Sequence, residues 1–340
     1  MSVISFACPA CQVELHVDQD QHRCPQCGCV YPTTLGIPSL GGDSIRPDPI
    51  EGELIDRLCA RYSTATIEEM SQARLATGAT NEERRQFYAN YHRTLRERGP
   101  AFQRMFQQRL QQNGWNDYGR RLALDIGCGV GSGLLALAHE FDHVVGLDIS
   151  LSSLIIARKV IEEAGLSNIT LVHASAHHLP FLDSTFDYAM AINVLEHIFM
   201  PDAMLAEVRR VLATDGVFVG DSRNRFDPFF KEPHVGVRWV GCMPRRWMAR
   251  YVRWRTGLDY GATHTHLLSH HDLARALTLT FGSSWRIVMP DAMAYGAPQK
   301  VRDVAEALNR LQVLRSLLVR VAPSHIALAR RGSNGAGANT

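Results

Sequence analysis

The stretch Asp125-Ile126-Gly127-Cys128-Gly129-Val130-Gly131 decides how this sequence is read. It lies where the apolar run Leu122-Ala123-Leu124-Asp125-Ile126 gives way to a helical pattern, which makes it a strand-to-helix turn. Glycine suits such a turn because it takes up positive φ without a Cβ clash and lets a ligand approach the backbone closely. The N–H groups exposed at the helix start then face a bound cofactor. A second apolar run, Val144-Val145-Gly146-Leu147-Asp148, ends in an acid one helical crossover after Asp125. That is where a carboxylate reaches ribose hydroxyls in a nucleotide-binding fold. The glycines run G-x-G-x-G at 127, 129 and 131, which departs from the dinucleotide fingerprint G-x-G-x-x-G.

Outward from this turn the texture is a regular alternation of apolar runs and helical stretches. Ile169–His173, Phe186–Ile192 and Gly216–Asp221 are the next three runs, with helical patterns over 151–164 and 201–213. Strands alternating with helices predict a mostly parallel sheet covered by helices on both faces. Trp285–Met289 and Ile326–Ala329 bring the expected strands to seven.

The chain resembles class I S-adenosylmethionine-dependent methyltransferases of the Rossmann-like type. The resemblance rests on the G-x-G-x-G loop after Asp125, Asp148, Leu179-Pro180-Phe181, Phe186-Asp187, Asn193-Val194-Leu195-Glu196-His197-Ile198, and Glu207 to Leu212 ahead of Gly216. These motifs stand in family order across roughly 120–222. The resemblance implies S-adenosyl-L-methionine as cofactor. Gly127, Cys128, Gly129 and Gly131 would pass its methionine moiety, and Asp125 would orient the loop or the cofactor ammonium. Asp148 would take the ribose hydroxyls, and Ile149 would pack on adenine. Ser175 and Ala176 would stand where many relatives place an aspartate on the adenine amino group, and Asn193 would lie beside the reactive methyl.

Five of the eight cysteines fall between Cys8 and Cys29. Cys8-Pro9-Ala10-Cys11 and Cys24-Pro25-Gln26-Cys27 are two C-P-x-C turns separated by the stretch from Gln12 to Arg23, and each turn supplies two soft ligands for tetrahedral Zn2+. A unit this short has too little core to fold without such a staple. Four cysteinates close the coordination sphere, so the expected zinc is structural, and Cys29, His16 and His22 are not needed. This front end, with Tyr31-Pro32 and Gly36-Ile37-Pro38, resembles zinc ribbons that accompany RNA and protein methyltransferases. Ribosomal-RNA guanine methyltransferases also carry an N-terminal zinc module. Their N/D-P-P-aromatic motif is absent here, where Asn193-Val194-Leu195-Glu196 stands instead.

The substrate is expected in the additions around the core. Residues 81–112 read as a lid with Phe87, Tyr88, Tyr91 and His92 facing the cleft, and Gly99-Pro100 is expected to break that helical region in two. The insertion 223–266 resembles those of bacterial methyltransferases associated with glycan, lipid and secondary-metabolite pathways. Transfer to a hydroxyl needs in-line geometry and a proton acceptor, for which His234, His197 and His266 are the candidates. Ser269-His270-His271-Asp272 reads as a helix cap. The segment 244–255 interleaves five arginines with Trp247, Tyr251 and Trp254. It suits a helix packed on the core, an anionic membrane surface, or RNA. The helical pattern near 301–321 has ordinary core spacing.

A net charge of +2 over 340 residues gives no global case for nucleic acid. The first residues carry no basic stretch ahead of an apolar run, so no secretory leader is expected. No apolar segment approaches the ~20 residues that span a bilayer. The expectation is a cytoplasmic protein, with peripheral membrane contact through 244–255. The organisation expected is a zinc ribbon over 1–40, a linker and helical lid over 41–117, and a methyltransferase domain over 118–331 with its 223–266 cap. A disordered tail would follow at 332–340. The leading reading is O-methylation of a small, lipid-linked or glycan-linked metabolite. One rival is an RNA methyltransferase that holds rRNA or tRNA through the ribbon. The other is a non-catalytic cofactor-binding regulator with a protein-docking ribbon.

Overall fold

The computed structural model describes residues 4–18, 21–41, 45, 49–78, 94–227, 231–232, 235–260, 265–290 and 319–332. The expected lid aromatics Phe87, Tyr88, Tyr91 and His92, the candidate base His234, most of the 301–321 helix and the tail from 333 lie outside them. Packing divides the chain into two compact units. Met1–Gln103, Tyr118–Met190 and Glu207–Gly216 form one; Arg104–Asp117, Ala191–Ala206 and Val217–Thr340 form the other.

The first unit opens on three short antiparallel strands, β1 (His16–Asp18), β2 (Gln21–Arg23) and β3 (Val30–Tyr31). A hairpin of β4 (Thr33–Thr34) and β5 (Ile37–Pro38) follows. So short a segment lacks a core of its own, and its buried Phe6, Tyr31, Ile37 and Leu40 belong to a docked layer. Phe6 bridges Phe181, and the Ala7 N–H donates to the Pro180 carbonyl at 2.9 Å. Ser39 pairs in parallel with His173, and the Leu40 N–H donates to the His173 carbonyl at 2.8 Å.

Three helices come next: α1 (Pro49–Ala60), α2 (Ile67–Gly78) and α3 (Leu95–Gln112). Contrary to the expected break, α3 runs straight through Gly99-Pro100. Pro100 sits near the helix start, where the first four N–H groups have no intrahelical partner and the proline ring removes only one bond more. Gly99 answers to packing: a Cβ there would overlap the Ser132 carbonyl oxygen.

The remaining elements are β6 (Leu122–Ile126), α4 (Ser132–Leu137), β7 (His143–Asp148), α5 (Leu151–Glu163), β8 (Ile169–His173), β9 (Phe186–Ala191), α6 (Pro201–Val211) and β10 (Leu212–Arg223). The cap contributes α7 (Arg245–Thr256), and after it come α8 (His270–Phe281), β11 (Trp285–Val288) and β12 (Ser324–Arg330). Seven strands form one sheet in the order β11-β12-β10-β9-β6-β7-β8. The pairs β9-β6, β6-β7 and β7-β8 are parallel, and β12 runs antiparallel to both neighbours. The fold is therefore α/β and Rossmann-like. The buried parallel strands read as near-continuous apolar runs because helices cover both faces.

Within the first unit α1 and α2 pack against α5. Glu51 of α1 accepts hydrogen bonds from the Ser150 and Ser152 hydroxyls at 3.0 and 3.1 Å. Gly146 of β7 leaves room for its neighbours: a Cβ there would sit 2.8 Å from Leu134 Cδ1 and 2.9 Å from Leu171 Cδ2.

In the second unit α8 packs on β11 and β12. It starts at a capping box in which Ser269 and Asp272 satisfy each other's backbone N–H. The Asn224 amide donates to the Arg320 and Ala322 carbonyls at 2.9 and 2.8 Å. The cap has its own apolar cluster of Val235, Val237, Val240, Met248, Val252 and Tyr260.

Candidate functional site

Gly127, Gly129 and Gly131 have φ of +68°, +53° and +95°. Every second residue of the loop is thus left-handed, a run that side-chain-bearing residues resist. The Gly127 and Cys128 N–H groups donate to the Leu147 carbonyl at 2.7 and 3.0 Å, which ties the loop to β7. Asp148 closes the arrangement. One carboxylate oxygen accepts from the Gly129 N–H at 2.8 Å and the other from the Ser150 N–H, also at 2.8 Å. Burial raises its carboxyl above the usual range, opposed by those two N–H groups.

Asp125 is buried at the end of β6. Burial, then the Asp148 charge, holds its carboxyl well above the ordinary value. Two carboxyls in one buried corner call for a cation or several hydrogen-bond donors. An ammonium at Asp125 and hydroxyls at Asp148 meet that need, so these residues fit S-adenosylmethionine. Ile149, at 58% exposure, presents an apolar side chain beside Asp148, as an adenine platform requires.

The end of β8 lies beside Asp148. The Ala174 N–H donates to the Asp148 carbonyl, and the Ser175 hydroxyl accepts from the His177 N–H at 3.3 Å. Asp125, the glycine loop, Asp148, Ile149, Ser175 and Ala176 thus gather at the carboxyl ends of β6, β7 and β8, where open α/β sheets bind ligands. His173 also belongs here. Its Nε2–H donates to the Ile149 carbonyl at 3.0 Å, which leaves Nδ1 to accept from the Ser39 hydroxyl at 3.0 Å. Burial lowers its pKa and favours this neutral form. The sequence signal was a polar residue ending an otherwise apolar run.

The second unit holds the other candidates. Asn193 follows β9 with φ +55°, and its N–H donates to an Asp221 carboxylate oxygen at 2.6 Å. His197 is exposed in a one-turn 3-10 helix, Leu195–His197. The His266 ring meets Phe199 edge-on at 4.9 Å, and the His266 backbone N–H donates to the Glu196 carbonyl. Glu196 is 2% exposed, and its Oε2 has no hydrogen-bond partner among the described residues. Burial and the Asp221 charge push its carboxyl up to about 8, so it carries a proton near neutral pH.

The four knuckle cysteines converge as well. The sulfurs of Cys8, Cys11, Cys24 and Cys27 all lie within 4.8 Å of one another, and Cys8 and Cys27 are 3.9 Å apart. Tetrahedral zinc with bonds of about 2.3 Å needs sulfurs roughly 3.8 Å apart, so the cluster fits that ion. The Cys27 N–H points at Cys24 Sγ at 3.4 Å.

Residues 124–220 match the family described as "Methyltransferase domain". Over 98 residues the chain is 39% identical to a demethylmenaquinone methyltransferase of Listeria welshimeri, covering 27% of this chain and 41% of that protein. Over 97 residues it is 36% identical to a sterol 4-C-methyltransferase of Caenorhabditis elegans, covering 28% and 29%. The chain thus spans about two fifths of the length of the bacterial relative. Among solved structures, an S-adenosylmethionine-dependent methyltransferase from Mesorhizobium loti is 20% identical with a TM-score of 0.44, covering 66% of this chain and 97% of that one. Residues 124–220 thus match a methyltransferase domain, and the seven-stranded sheet and the glycine loop agree with that match. No helix among the described residues is long and apolar enough to cross a membrane.

Proposed function

We propose that this protein transfers a methyl group from S-adenosyl-L-methionine to an oxygen of a small, lipid-linked or glycan-linked metabolite. The observation that carries the reading is a loop of three left-handed glycines tied through the Gly129 N–H to Asp148, inside the segment that matches the methyltransferase domain. The relatives named for demethylmenaquinone and a sterol support a lipid-soluble acceptor.

When bound, the cofactor supplies an electrophilic methyl on a sulfonium. The chain's own residues hold and orient it. Asp125 takes the ammonium, Cys128 and the three glycines of the loop let the methionine end lie against the backbone, Asp148 accepts from the ribose hydroxyls, and Ile149 packs on adenine. Ser175 and Ala176 would border the adenine edge, and Asn193 is the residue that the family resemblance assigns to the reactive methyl. Positioning of this kind supplies much of the acceleration in methyl transfer. The acceptor hydroxyl loses its proton to a base, for which His266 and His197 are the described candidates and His234 the third. Zn2+ held by Cys8, Cys11, Cys24 and Cys27 would staple the ribbon and take no part in transfer.

Calorimetry with S-adenosylhomocysteine tests the cofactor reading. Binding at a stoichiometry of one is expected, with Asp148→Asn weakening it roughly tenfold or more through loss of charge-assisted hydrogen bonds. No binding by the folded protein refutes it. Labelled methyl groups recovered in RNA rather than in a lipid or glycan extract would overturn the acceptor class.

A further inference from the structure

We infer that α7 is a docking surface for anionic phospholipid, so that the protein works at a membrane face without crossing it. The inference goes beyond methyl transfer and stands on the second unit alone. Met248 and Val252 turn one face of α7 into the apolar cluster of the cap. The exposed surface is not wholly polar, as that of an ordinary surface helix would be: Arg246 and Arg250 stand opposite the buried face, and an aromatic flank runs beside them. Trp247 and Trp254 stand there 57% and 75% exposed. Seven residues apart, they share one stripe about 10 Å long, with the partly buried Tyr251 between them. Trp239, 56% exposed, is held close by, because the Tyr251 hydroxyl donates to the Arg238 carbonyl at 3.2 Å.

The charge on the helix itself is of one sign. Arg245, Arg246, Arg250, Arg253 and Arg255 are exposed, and α7 contains no acid. Asp272 faces Arg245 at 3.5 Å and Asp259 faces Arg253 at 3.9 Å. Arg246, Arg250 and Arg255 have no ion pair among the described residues. Indoles flanked by guanidinium groups on a short in-plane helix match the headgroup layer, where indoles seat at the apolar boundary and arginines meet lipid phosphates.

The same face fits RNA less well. Base stacking needs free indole faces. Here Arg246 lies over Trp247 at 5.9 Å and Arg255 over Trp254 at 5.6 Å. Membrane seating leaves those cation–π pairs intact, because it uses the body and edge of the ring.

The test is co-sedimentation of the full-length protein with two kinds of vesicle, at low and at physiological salt. One is phosphatidylcholine alone, and the other is phosphatidylcholine with phosphatidylglycerol as its minor component. The expected result is binding to the anionic vesicles, weakened by salt. Trp247→Ser with Trp254→Ser should lower it by roughly an order of magnitude or more, and each of Arg246→Gln and Arg250→Gln by roughly fivefold. All variants should retain the parent melting temperature and S-adenosylhomocysteine affinity, which separates this outcome from failure of the cofactor reading. The proposal is overturned by absence of binding at low salt. It is equally overturned by binding indifferent to the two tryptophans, by tryptophan-dependent self-association in light scattering, or by RNA binding that the double variant abolishes.

Discussion

Gly99→Ala offers a sharp test of how α3 seats on the cofactor loop. In a free helix the change favours stability, because alanine exceeds glycine by about 0.8–1 kcal/mol in helix propensity. Here the new methyl would overlap the Ser132 carbonyl oxygen, lie 2.6 Å from its carbonyl carbon and reach within 3.2 Å of its Oγ. Carbon atoms pack at about 3.5–4.0 Å, so the backbones must separate by about 1 Å. Overpacking of that kind costs about 1–3 kcal/mol and outweighs the propensity gain. Ser132 opens α4 directly after the glycine loop, so the displacement falls on the cofactor site as well. Gly52 of α1 is the internal control, since a Cβ there meets nothing within 4 Å. Thermal melts should show Gly52→Ala stabilised and Gly99→Ala destabilised, each by a few degrees at about 2–4 °C per kcal/mol. Calorimetry should show weaker S-adenosylhomocysteine binding for Gly99→Ala alone. Equal stabilisation by both substitutions would refute the packing argument.

Three further outcomes are expected. The purified protein should carry one zinc per chain by mass spectrometry, and Cys24→Ser should lower both metal content and melting temperature; a metal-free protein with an unchanged melt contradicts the ribbon assignment. Glu196 has a raised folded pKa near 8 against 4.5 for the ordinary carboxyl, so between those values the folded form holds a proton that the unfolded form has lost. Stability from this group should fall with rising pH by about 1.4 kcal/mol per unit across that window and level off above it, and Glu196→Gln should flatten the slope in melts from pH 5 to 9. His173→Ala should raise KM for the cofactor and leave kcat nearly unchanged, because it strips a hydrogen bond from Ile149 while touching no reacting atom; a loss confined to kcat would contradict that role.

The sheet was legible because its strands are buried on both faces. Leu122–Ile126 and Ile169–His173 have the bounds that their apolar runs suggest, and the helix after Ser269 begins at the expected cap. Gly99-Pro100 misled because local propensity says nothing about a carbonyl from another helix lying against the glycine. The cofactor loop announced itself through glycines that only a left-handed turn needs. Glu196, Asp221 and His173 did not stand out as a group. Each is a single polar residue in an apolar or polar run, and its meaning comes from partners far away in sequence. Asp221 meets the backbone of Asn193, and His173 meets Ser39 from the other end of the first unit's sequence.

The pairing of Ser39 and Leu40 with His173 gives the ribbon a second task. β8 is the last strand on its side of the sheet, and the chain after β5 lies along its outer rim. An open rim of a flat, apolar sheet is a template for another chain to add to. If zinc staples the four cysteines as proposed, its loss would therefore not merely loosen a small appendage. It would uncover an adhesive border on the catalytic half, and metal depletion would register first as clumping of otherwise folded molecules.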